Sequence, residues 1–155
     1  PDRKGKAVHG IIMEDDRGLD VPVRFAKCCS PVPGDDIVGF VTRGNGVTIH
    51  KASCSNVHHS DKARMLKVSW APEDGTNSFF APVRVRAYDR VGLLGEISTF
   101  IGDQNVAIRN VSTRTDRNGI AAINLVLQVH SREQMDGMVK KLGALPYVLD
   151  AVRTG

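Results

Sequence analysis

The sequence contains few aromatic side chains and few cysteines. Phenylalanine, tryptophan and tyrosine make up 5% of its 155 residues, which disfavours a wide stacking platform for single-stranded nucleic acid, because each stacked base needs an exposed ring. Three cysteines are an odd number that cannot close the disulfide framework of a small secreted domain. No apolar run approaches the length of about 18 residues that a membrane span needs. We therefore expect a cytoplasmic chain without membrane contact.

An excess of charge of one sign is also nearly absent. The sequence has 21 Lys and Arg residues against 17 Asp and Glu residues, a formal net charge of +4. This mild excess permits contact with a polyanion but is typical of an ordinary solvated surface. A hydrophobic fraction of 41% with 25% charged residues is typical of a folded chain, here long enough for one ordinary domain or two small ones.

The segment 71–78 predicts a linker between two domains, because it contains proline, glycine and asparagine and lacks an apolar period. Residues 1–70 predict a small, mostly β domain with one short helix, Lys51–Val57. The predicted strands of this domain are Gly10–Met13, Val21–Phe25, Ile37–Phe40, Val47–His50 and Leu66–Trp70.

Residues 79–155 predict a ferredoxin-like β-α-β-β-α-β domain, so the fold class is α+β. In the predicted strand Ile120–Val129 every second residue is apolar, so that one face meets a core. We expect Asp89 to cap the first helix, with Ser131 and Gln134 forming the capping box of the second. The first helix is predicted to bury Val91, Leu94, Ile97 and Ile101.

That topology is shared by RNA-recognition modules and by small-molecule regulatory domains. An RNA-recognition module stacks bases on aromatic residues of its central strands, and the predicted strand Ile120–Val129 has none. Base stacking by this half of the chain is therefore disfavoured, whereas phosphate contact through its arginines remains open.

Cys28, Cys29, His50 and Cys54 form a candidate metal site. A helix starting near Lys51 would place His50 and Cys54 on one side, as zinc sites often require. The adjacent pair ligates together only if the chain leaves the strand there, which the following prolines favour. Such a closed tetrahedral site would have a structural role. The alternative interpretation is small buried cysteines beside a capping or surface histidine.

Motifs of a catalytic centre are absent from the sequence. It contains neither a Walker-type phosphate loop nor a His-Glu-x-x-His pattern. A cysteine nucleophile activated by an imidazole is a third interpretation of the thiols, but no substrate-binding motif accompanies them. We therefore predict that the chain is not an enzyme by itself.

The segment Asp89–Ile97 resembles the first strand-to-helix turn of an ACT domain, a regulatory module that senses amino acids. Glycine at position 92 lets the backbone approach a ligand, and free N–H groups at a helix start attract a carboxylate. The alternative interpretation is a plain turn without a ligand. The residues expected to line the site, which would suit a ligand with an aliphatic side chain, are Gly92, Leu93, Leu94, Asn105 and Ile108.

The segments Val23–Gly39, Thr42–Val47 and His50–Cys54 resemble the RelA/SpoT family, enzymes that synthesise and hydrolyse the alarmone (p)ppGpp. The resemblance covers the family's conserved-cysteine, zinc-finger-like ribosome-inter-subunit domain, and the ACT-like half follows in the family's order. Catalysis in the family belongs to other domains nearer the N-terminus. The resemblance therefore implies a C-terminal regulatory region that controls the catalytic domains of its parent enzyme in the stringent response.

The family resemblance also implies partners and site residues. A structural zinc ion would be held by the candidate metal site. The resemblance implies a branched-chain amino acid as the ligand of the ACT half. The alternative is that the ACT half forms a homodimer and has a purely structural role in the same enzyme. Ribosomal RNA would be contacted by Lys27, Arg43, His50 and Lys51.

Overall fold

The computed structural model describes residues 9–13, 22–42, 44, 46–59, 62–72 and 77–155. The chain divides into two compact units, Pro1–Asn77 and Ser78–Gly155. The predicted linker 71–78 spans this division, and its residues 73–76 lie outside the described residues. The predicted α+β fold class is confirmed. No helix in the described part of the chain is long and apolar enough to cross a membrane.

The N-terminal unit is built from short strands. Strands β2, β4, β3 and β5 form one sheet in that order, in which β2 and β4 are parallel and the other pairs antiparallel. Strands β1 and β6 pair separately, and both sheets contribute side chains to one apolar cluster that includes Ile11, Ile49 and Val68. The strands are β1 (Ile11–Met13), β2 (Val23–Phe25), β3 (Ile37–Val41), β4 (Val47–Lys51), β5 (Met65–Leu66) and β6 (Val68–Trp70).

The predicted helix Lys51–Val57 is wrong. Lys51 is the last residue of β4, and a turn follows in which the Cys54 amide donates to the Lys51 carbonyl at 2.9 Å. A 3-10 helix covers Ser55–His59, and another covers Lys62–Arg64. Neither buries a residue, so this segment has no apolar face with which tertiary packing could support an α-helix.

The C-terminal unit has the predicted β-α-β-β-α-β order. Its antiparallel sheet has the strand order β10-β7-β9-β8. An Asp116–Gly119 turn joins β8 to β9, with the Asp116 amide donating to the Ile120 carbonyl at 2.9 Å. The elements are β7 (Phe79–Tyr88), α1 (Leu93–Asp103), β8 (Ala107–Thr115), β9 (Ile120–Val129), α2 (Arg132–Gly143) and β10 (Val148–Arg153).

The core of this unit lies between one sheet face and the two helices. Burial alternates along β7 and β9, as the period of two predicts. Helix α2 begins at the predicted cap, where the Ser131 hydroxyl accepts from the Gln134 amide at 3.1 Å. The side chains that fill this core include Val83, Val85, Ile97, Ile101, Ile123, Leu125, Leu127, Met135 and Leu142.

Helix α1 begins later than predicted. Its N-cap is Gly92 with φ of 86°, and no side chain caps the helix, so the prediction that Asp89 caps it is wrong. A turn closed by the Leu93 amide and the Arg90 carbonyl at 3.1 Å precedes the helix and shifts its start. The buried stripe therefore starts at Leu93, and the predicted burial of Val91 and Leu94 is wrong, since they are 99% and 39% exposed.

Candidate metal centre and ligand cavity

A turn after β2 brings Cys28 and Cys29 to the same place. Strand β2 ends at Phe25, and the Ser30 amide donates to the Ala26 carbonyl at 2.8 Å. The Ala26 amide donates to Ile49 on β4 at 2.9 Å, which fixes the turn to the sheet. The chain thus leaves the strand at the cysteine pair, and neighbouring side chains are freed from the alternation of an extended strand.

His50 and Cys54 reach the same place by a strand and a turn. His50 is paired with Val38 near the end of β4, and Cys54 lies in the turn that follows. The expected proximity of the two side chains is present, although the predicted helix is not. The ligand atoms of Cys28, Cys29, His50 and Cys54 all lie within 4.8 Å of one another.

Four of the six distances between ligand atoms in this cluster lie close to the edges of a zinc tetrahedron, and the other two are at most 4.8 Å. Zn–S bonds of about 2.3 Å and Zn–N bonds of about 2.05 Å place two sulfurs about 3.8 Å apart and a sulfur and nitrogen about 3.6 Å apart. The Sγ of Cys28 lies 3.5 Å from that of Cys54 and 3.9 Å from that of Cys29. The Nδ1 of His50 lies 3.5 Å from Cys28 Sγ and 3.8 Å from Cys29 Sγ. The residues present therefore fit a four-coordinate metal ion.

The three thiols differ in environment. Cys28 is exposed, whereas Cys29 and Cys54 are buried. Burial raises the pKa of Cys29 to about 12. Burial also opposes ionisation of Cys28, but hydrogen bonds with Asn56, Cys54 and Cys29 outweigh it and lower the pKa of Cys28. Burial lowers the pKa of His50, which favours the neutral imidazole that ligates metals.

The backbone and the neighbouring side chains support the cluster. The Lys51 amide donates to Cys29 Sγ at 3.3 Å, an outer contact of the kind that orients metal-ligating groups. Ala26, Cys29 and Cys54 form a small apolar core of their own, against which Val57 packs. Four protein ligands leave no open position for a substrate, so this arrangement suits a structural role rather than a catalytic one.

The residues predicted to contact RNA lie around the cluster. Lys27 is exposed beside Cys28, and Lys51 is half-buried after His50. His50 directs its Nδ1 at the thiols. Arg43 lies outside the described residues.

The C-terminal unit has a cavity of about 330 Å³ between the start of α1 and strands β8 and β9. Three of the five residues predicted for the ligand site line it. Asn105 and Ile108 do not, because Asn105 precedes β8 and Ile108 lies near its start, whereas Thr113 and Thr115 near its end line the cavity. The lining residues are Asp89, Arg90, Gly92, Leu93, Leu94, Gly95, Thr113, Thr115, Ala121 and Ile123.

The cavity has groups of opposite charge at its rim. The carboxylate of Asp89 accepts from the Thr115 hydroxyl at 3.3 Å, and the N-terminus of α1 has no side-chain cap. Arg90 forms an ion pair with Glu96, and its guanidinium carbon lies 4.6 Å from the centre of the Tyr147 ring. Burial and the Glu96 carboxylate raise the pKa of Tyr147.

Sequence reasoning missed most of this lining. Asp89 was expected to serve as a helix cap, an assignment that removes its carboxylate from any ligand site. Thr113 and Thr115 lie opposite Ile123 and Ala121 across the β8–β9 ladder, and this register depends on the hairpin turn and on a bulge between Ile108 and Asn110. The Asn-Gly turn was the only signal in the sequence that pointed to the pairing.

A second cavity of about 370 Å³ lies between the end of α1 and helix α2, with Gln104, Glu133 and Lys141 among its lining residues. The Lys141 ammonium donates to Gln104 Oε1 at 2.8 Å. The start of α2 is already satisfied, since Ser131 accepts from Gln134 and the Gln134 side chain accepts from the His130 amide. This cavity therefore lacks the free helix terminus that the first one has.

Comparisons with known proteins agree with both halves of this description. Residues 11–71 match the RelA/SpoT RIS domain, and residues 75–153 match the ACT domain. A GTP pyrophosphokinase of Streptomyces coelicolor is 34% identical over 154 residues, which cover 97% of this chain and 18% of that protein. The GTP pyrophosphokinase of Escherichia coli is 34% identical over 134 residues, covering 83% of this chain and 18% of that protein.

A solved structure has also been matched. The crystal structure of the ACT domain from the GTP pyrophosphokinase of Chlorobium tepidum is 23% identical, with a TM-score of 0.44, and covers 50% of this chain and 99% of that one. The chain spans 18% of the length of the two curated relatives.

The two family-model matches identify a RIS domain followed by an ACT domain. The chain belongs to the RelA/SpoT family, in which it represents an ACT-containing regulatory region.

Proposed function

We propose that this region regulates a (p)ppGpp-metabolising parent enzyme of the stringent response by binding a free amino acid with a branched aliphatic side chain in the α1–β8–β9 cavity. The observation that carries the proposal is the placement of a carboxylate and an uncapped helix N-terminus on one cavity with an apolar wall. The chain itself has no catalytic activity in this proposal, and purified protein is expected to form or hydrolyse no (p)ppGpp.

The two polar ends of an α-amino acid match the cavity rim. Asp89 supplies a negative charge for the ammonium group. Backbone N–H groups at the start of α1 supply donors for the carboxylate, and the helix dipole favours negative charge there. Gly92, with φ of 86° and no atom within 4 Å of where a Cβ would stand, lets that backbone be approached.

The inner wall suits an aliphatic side chain. Leu93, Ala121 and Ile123 line the cavity and are buried in the domain core. A volume of about 330 Å³ lies at the lower end of the range of small-molecule sites, about 300–1,000 Å³. These features favour valine, leucine or isoleucine over aromatic or charged amino acids.

Binding regulates the parent enzyme only if the amino acid has unequal affinity for two of its conformations. Helix α1 is the element best placed to differ between them, since it supplies both the carboxylate-binding terminus and the buried residues Leu93, Ile97 and Ile101.

Calorimetric titration with valine, isoleucine and leucine tests the sensing proposal on the full chain. Gly95→Ala adds a methyl group at the cavity, and Gly102→Ala is its matched control in the same helix. Neither added Cβ meets an atom within 4 Å, and Gly102 does not line the cavity. Both variants gain helix propensity, so a loss of binding confined to Gly95→Ala would locate the ligand.

We expect at least a fivefold weaker affinity in Gly95→Ala and wild-type affinity in Gly102→Ala. Absence of heat at millimolar amino acid, or equal affinity in the two variants, would contradict the sensing proposal.

We propose further that Cys28, Cys29, His50 and Cys54 hold a structural zinc ion. The support is the donor set and the tetrahedral spacing of its atoms. Bound zinc would neutralise the thiolates and join the turn after β2 to the turn after β4. Elemental analysis of protein purified without chelators is expected to find one zinc ion per chain.

Ribosomal RNA is the proposed partner of the cysteine-rich surface, through Lys27, Arg43, His50 and Lys51. The exposed position of Lys27 beside the cluster supports it. Phosphate contacts of this kind weaken steeply with salt. The double variant Lys27→Glu, Lys51→Glu is expected to lose co-sedimentation with ribosomes, whereas Lys140→Glu, at the end of α2, retains it. Equal pelleting of both variants would refute the proposed surface.

Self-association is a second candidate function, favoured by one observation. Strand β8 is the edge of its sheet, and eight of its nine residues are exposed, including Val111 at 40%. Such an edge is a template for pairing with another chain. Antiparallel pairing of two β8 strands would bring the Asn105 end of the second copy towards the cavity of the first. That arrangement would bring Asn105 of one copy towards the Gly92–Leu94 segment of the other, although these residues lie apart within one chain.

Light scattering over a range of concentrations tests this second candidate. The wild-type mass is expected to rise towards a dimer, and Val111→Lys is expected to stay monomeric because an edge lysine disfavours strand pairing. A monomeric wild type at all concentrations would refute it.

A further inference from the structure

The three thiols of the RIS domain are unequally accessible to reagents in solution. Cys28 is exposed at the surface of the turn after β2, whereas Cys29 and Cys54 are 3% and 9% exposed. The Sγ of Cys29 is also engaged by the Lys51 amide at 3.3 Å. A soluble reagent therefore meets Cys28 first.

The pairs that these thiols can form are unequal as well. Cys28 and Cys54 have their sulfurs 3.5 Å apart and come from turns that follow different strands. Cys28 and Cys29 are consecutive, so their Cα atoms are about 3.8 Å apart across a trans peptide. Disulfides require a Cα separation of about 4.4–6.8 Å. This spacing disfavours Cys29 as the disulfide partner of Cys28 and leaves Cys54, whose sulfur lies 3.5 Å away.

We propose that Cys28 is a modification site for low-molecular-weight disulfides of the oxidised-glutathione class, and that Cys54 resolves the adduct into an intramolecular Cys28–Cys54 disulfide. In the first step the Cys28 thiolate attacks one sulfur of oxidised glutathione. A mixed disulfide forms, and the other glutathione leaves as a thiolate that takes up a proton.

In the second step the Cys54 sulfur, having given up its proton, attacks Cys28 Sγ. The Cys28–Cys54 bond forms, and the second glutathione leaves as a thiol. Two protein thiols are oxidised, and one glutathione disulfide is reduced to two thiols, so atoms and electrons balance. Cys29 remains a thiol, since no third partner is left in the cluster.

The modification has a consequence for the metal, which rests on the proposed zinc site. A disulfide removes Cys28 and Cys54 as thiolate ligands and leaves Cys29 and His50, too few for a closed tetrahedral site. Zinc and the disulfide are therefore mutually exclusive. Zinc-loaded protein is expected to react more slowly and to release one zinc ion for each disulfide formed.

Peptide mapping of the full chain tests the proposal. Reduced protein, freed of metal by a chelator, is incubated with oxidised glutathione and digested with trypsin without reduction. We expect the free thiols to fall from three to one and a cross-link to join the peptide that starts after Lys27 to the peptide that starts after Lys51. Fragmentation should place the link at Cys28.

Three serine variants assign the roles. Cys54→Ser is expected to stop at a stable glutathione adduct on Cys28. Cys28→Ser is expected to lose at least tenfold in the rate of adduct formation, and Cys29→Ser to form the same cross-link as wild type. Fluorescence of Trp70, the only tryptophan, checks that each variant is folded. If a variant is not folded, the wild-type peptide map alone shows which cysteines are linked.

Some outcomes would overturn the proposal. These are a cross-link that includes Cys29, cross-linked pairs of chains as the main product, or three thiols that survive the oxidant. The disulfide proposal and the zinc proposal can fail separately. The peptide map of metal-free protein tests the Cys28–Cys54 link whether or not the protein binds zinc.

Discussion

The RIS and ACT domains are stabilised in different ways. Strands of the RIS domain are two to five residues long, whereas those of the ACT domain have six to ten. Of the twelve largest fully buried side chains in the described part of the chain, nine belong to the ACT domain and only Ile11, Val32 and Ile49 to the RIS domain. A small apolar core rarely suffices alone, and small domains commonly add a metal or disulfides. In the proposed function, zinc at the thiol cluster supplies the stability that the small RIS core lacks, and the ACT domain depends on its larger core.

The largest expected effect follows removal of Cys54, one of the four proposed zinc ligands. Zinc contributes about 10–16 kcal/mol in zinc-finger peptides, as much as the whole stability of many domains. Cys54→Ser should therefore strongly lower the melting temperature of the RIS domain, which keeps its apolar cluster at low temperature, and leave the melting temperature of the ACT domain unchanged. Trp70, which stacks on Phe25 and donates to the Asp35 carbonyl at 2.9 Å, reports on the RIS domain selectively.

The matched control for this variant is Ser53→Ala, at an exposed neighbouring position, which should melt like wild type. Chelation should have the same effect as Cys54→Ser. If the transition followed by Trp70 fluorescence has the same melting temperature in zinc-loaded and zinc-free protein, zinc does not stabilise the RIS domain.

A substitution that opens a cavity in the ACT core should destabilise the ACT domain and leave the RIS domain unchanged. Leu125 on β9 is almost completely buried, and Leu125→Ala is expected to destabilise its domain by about 2–5 kcal/mol. Helical circular dichroism should melt earlier while the Trp70 transition stays in place. Leu149→Ala, at a position 43% exposed, is the control, with an expected change below about 0.5 kcal/mol. A parallel shift of the Trp70 transition would show that the domains unfold as one unit.

Loss of the α2 cap should have a smaller effect. The Ser131 hydroxyl accepts from the Gln134 amide, and Ser131→Ala is expected to cost about 1 kcal/mol. Chemical denaturation followed by circular dichroism measures it, with the exposed Ser112→Ala on β8 as control. Equal midpoints for the two variants would mean that the cap contributes nothing to the stability of the ACT domain.

The smallest expected effect concerns pH. The hydrogen bond from Arg86 lowers the pKa of Asp150. A depressed pKa in the folded state stabilises the fold at pH values above the usual aspartate pKa, and this contribution is lost as the pH falls through the lower, folded-state value. Because the pair is solvent-exposed, the effect is small. In a plot of the ACT melting temperature against pH, Asp150→Asn should make the fall at acid pH slightly less steep. A steeper fall in the variant would contradict the stabilising role of the Arg86–Asp150 pair.

The difference between the domains also explains which parts could be predicted. The alternation of Ile120–Val129 and the capping pair Ser131 and Gln134 are local patterns, and both elements appear at the predicted positions. In the RIS domain the segment after β4 buries Cys54, but no residue of Ser55–His59 is buried. This segment has no helical apolar stripe, and the predicted helix is replaced by a turn and a 3-10 helix.

The two candidate sites show the same contrast. The residue types of the cysteine motif indicated which ligand atoms come together, but the helix predicted to place His50 and Cys54 on one side is replaced by a strand end and a turn. The ACT cavity depends on the late start of α1 at Gly92 and on the β8–β9 register, which brings Thr113 and Thr115 to the cavity. Both are tertiary features, and no spacing along the chain encodes them.

The central claim is that the ACT domain binds an amino acid at the start of α1. Titration of isotopically labelled protein with isoleucine, followed by amide chemical shifts, tests it most directly. We expect saturable shifts confined to Asp89–Gly95 and Thr113–Thr115. An unchanged spectrum at millimolar isoleucine, or shifts centred on Gln104 and Lys141 at the second cavity, would contradict it.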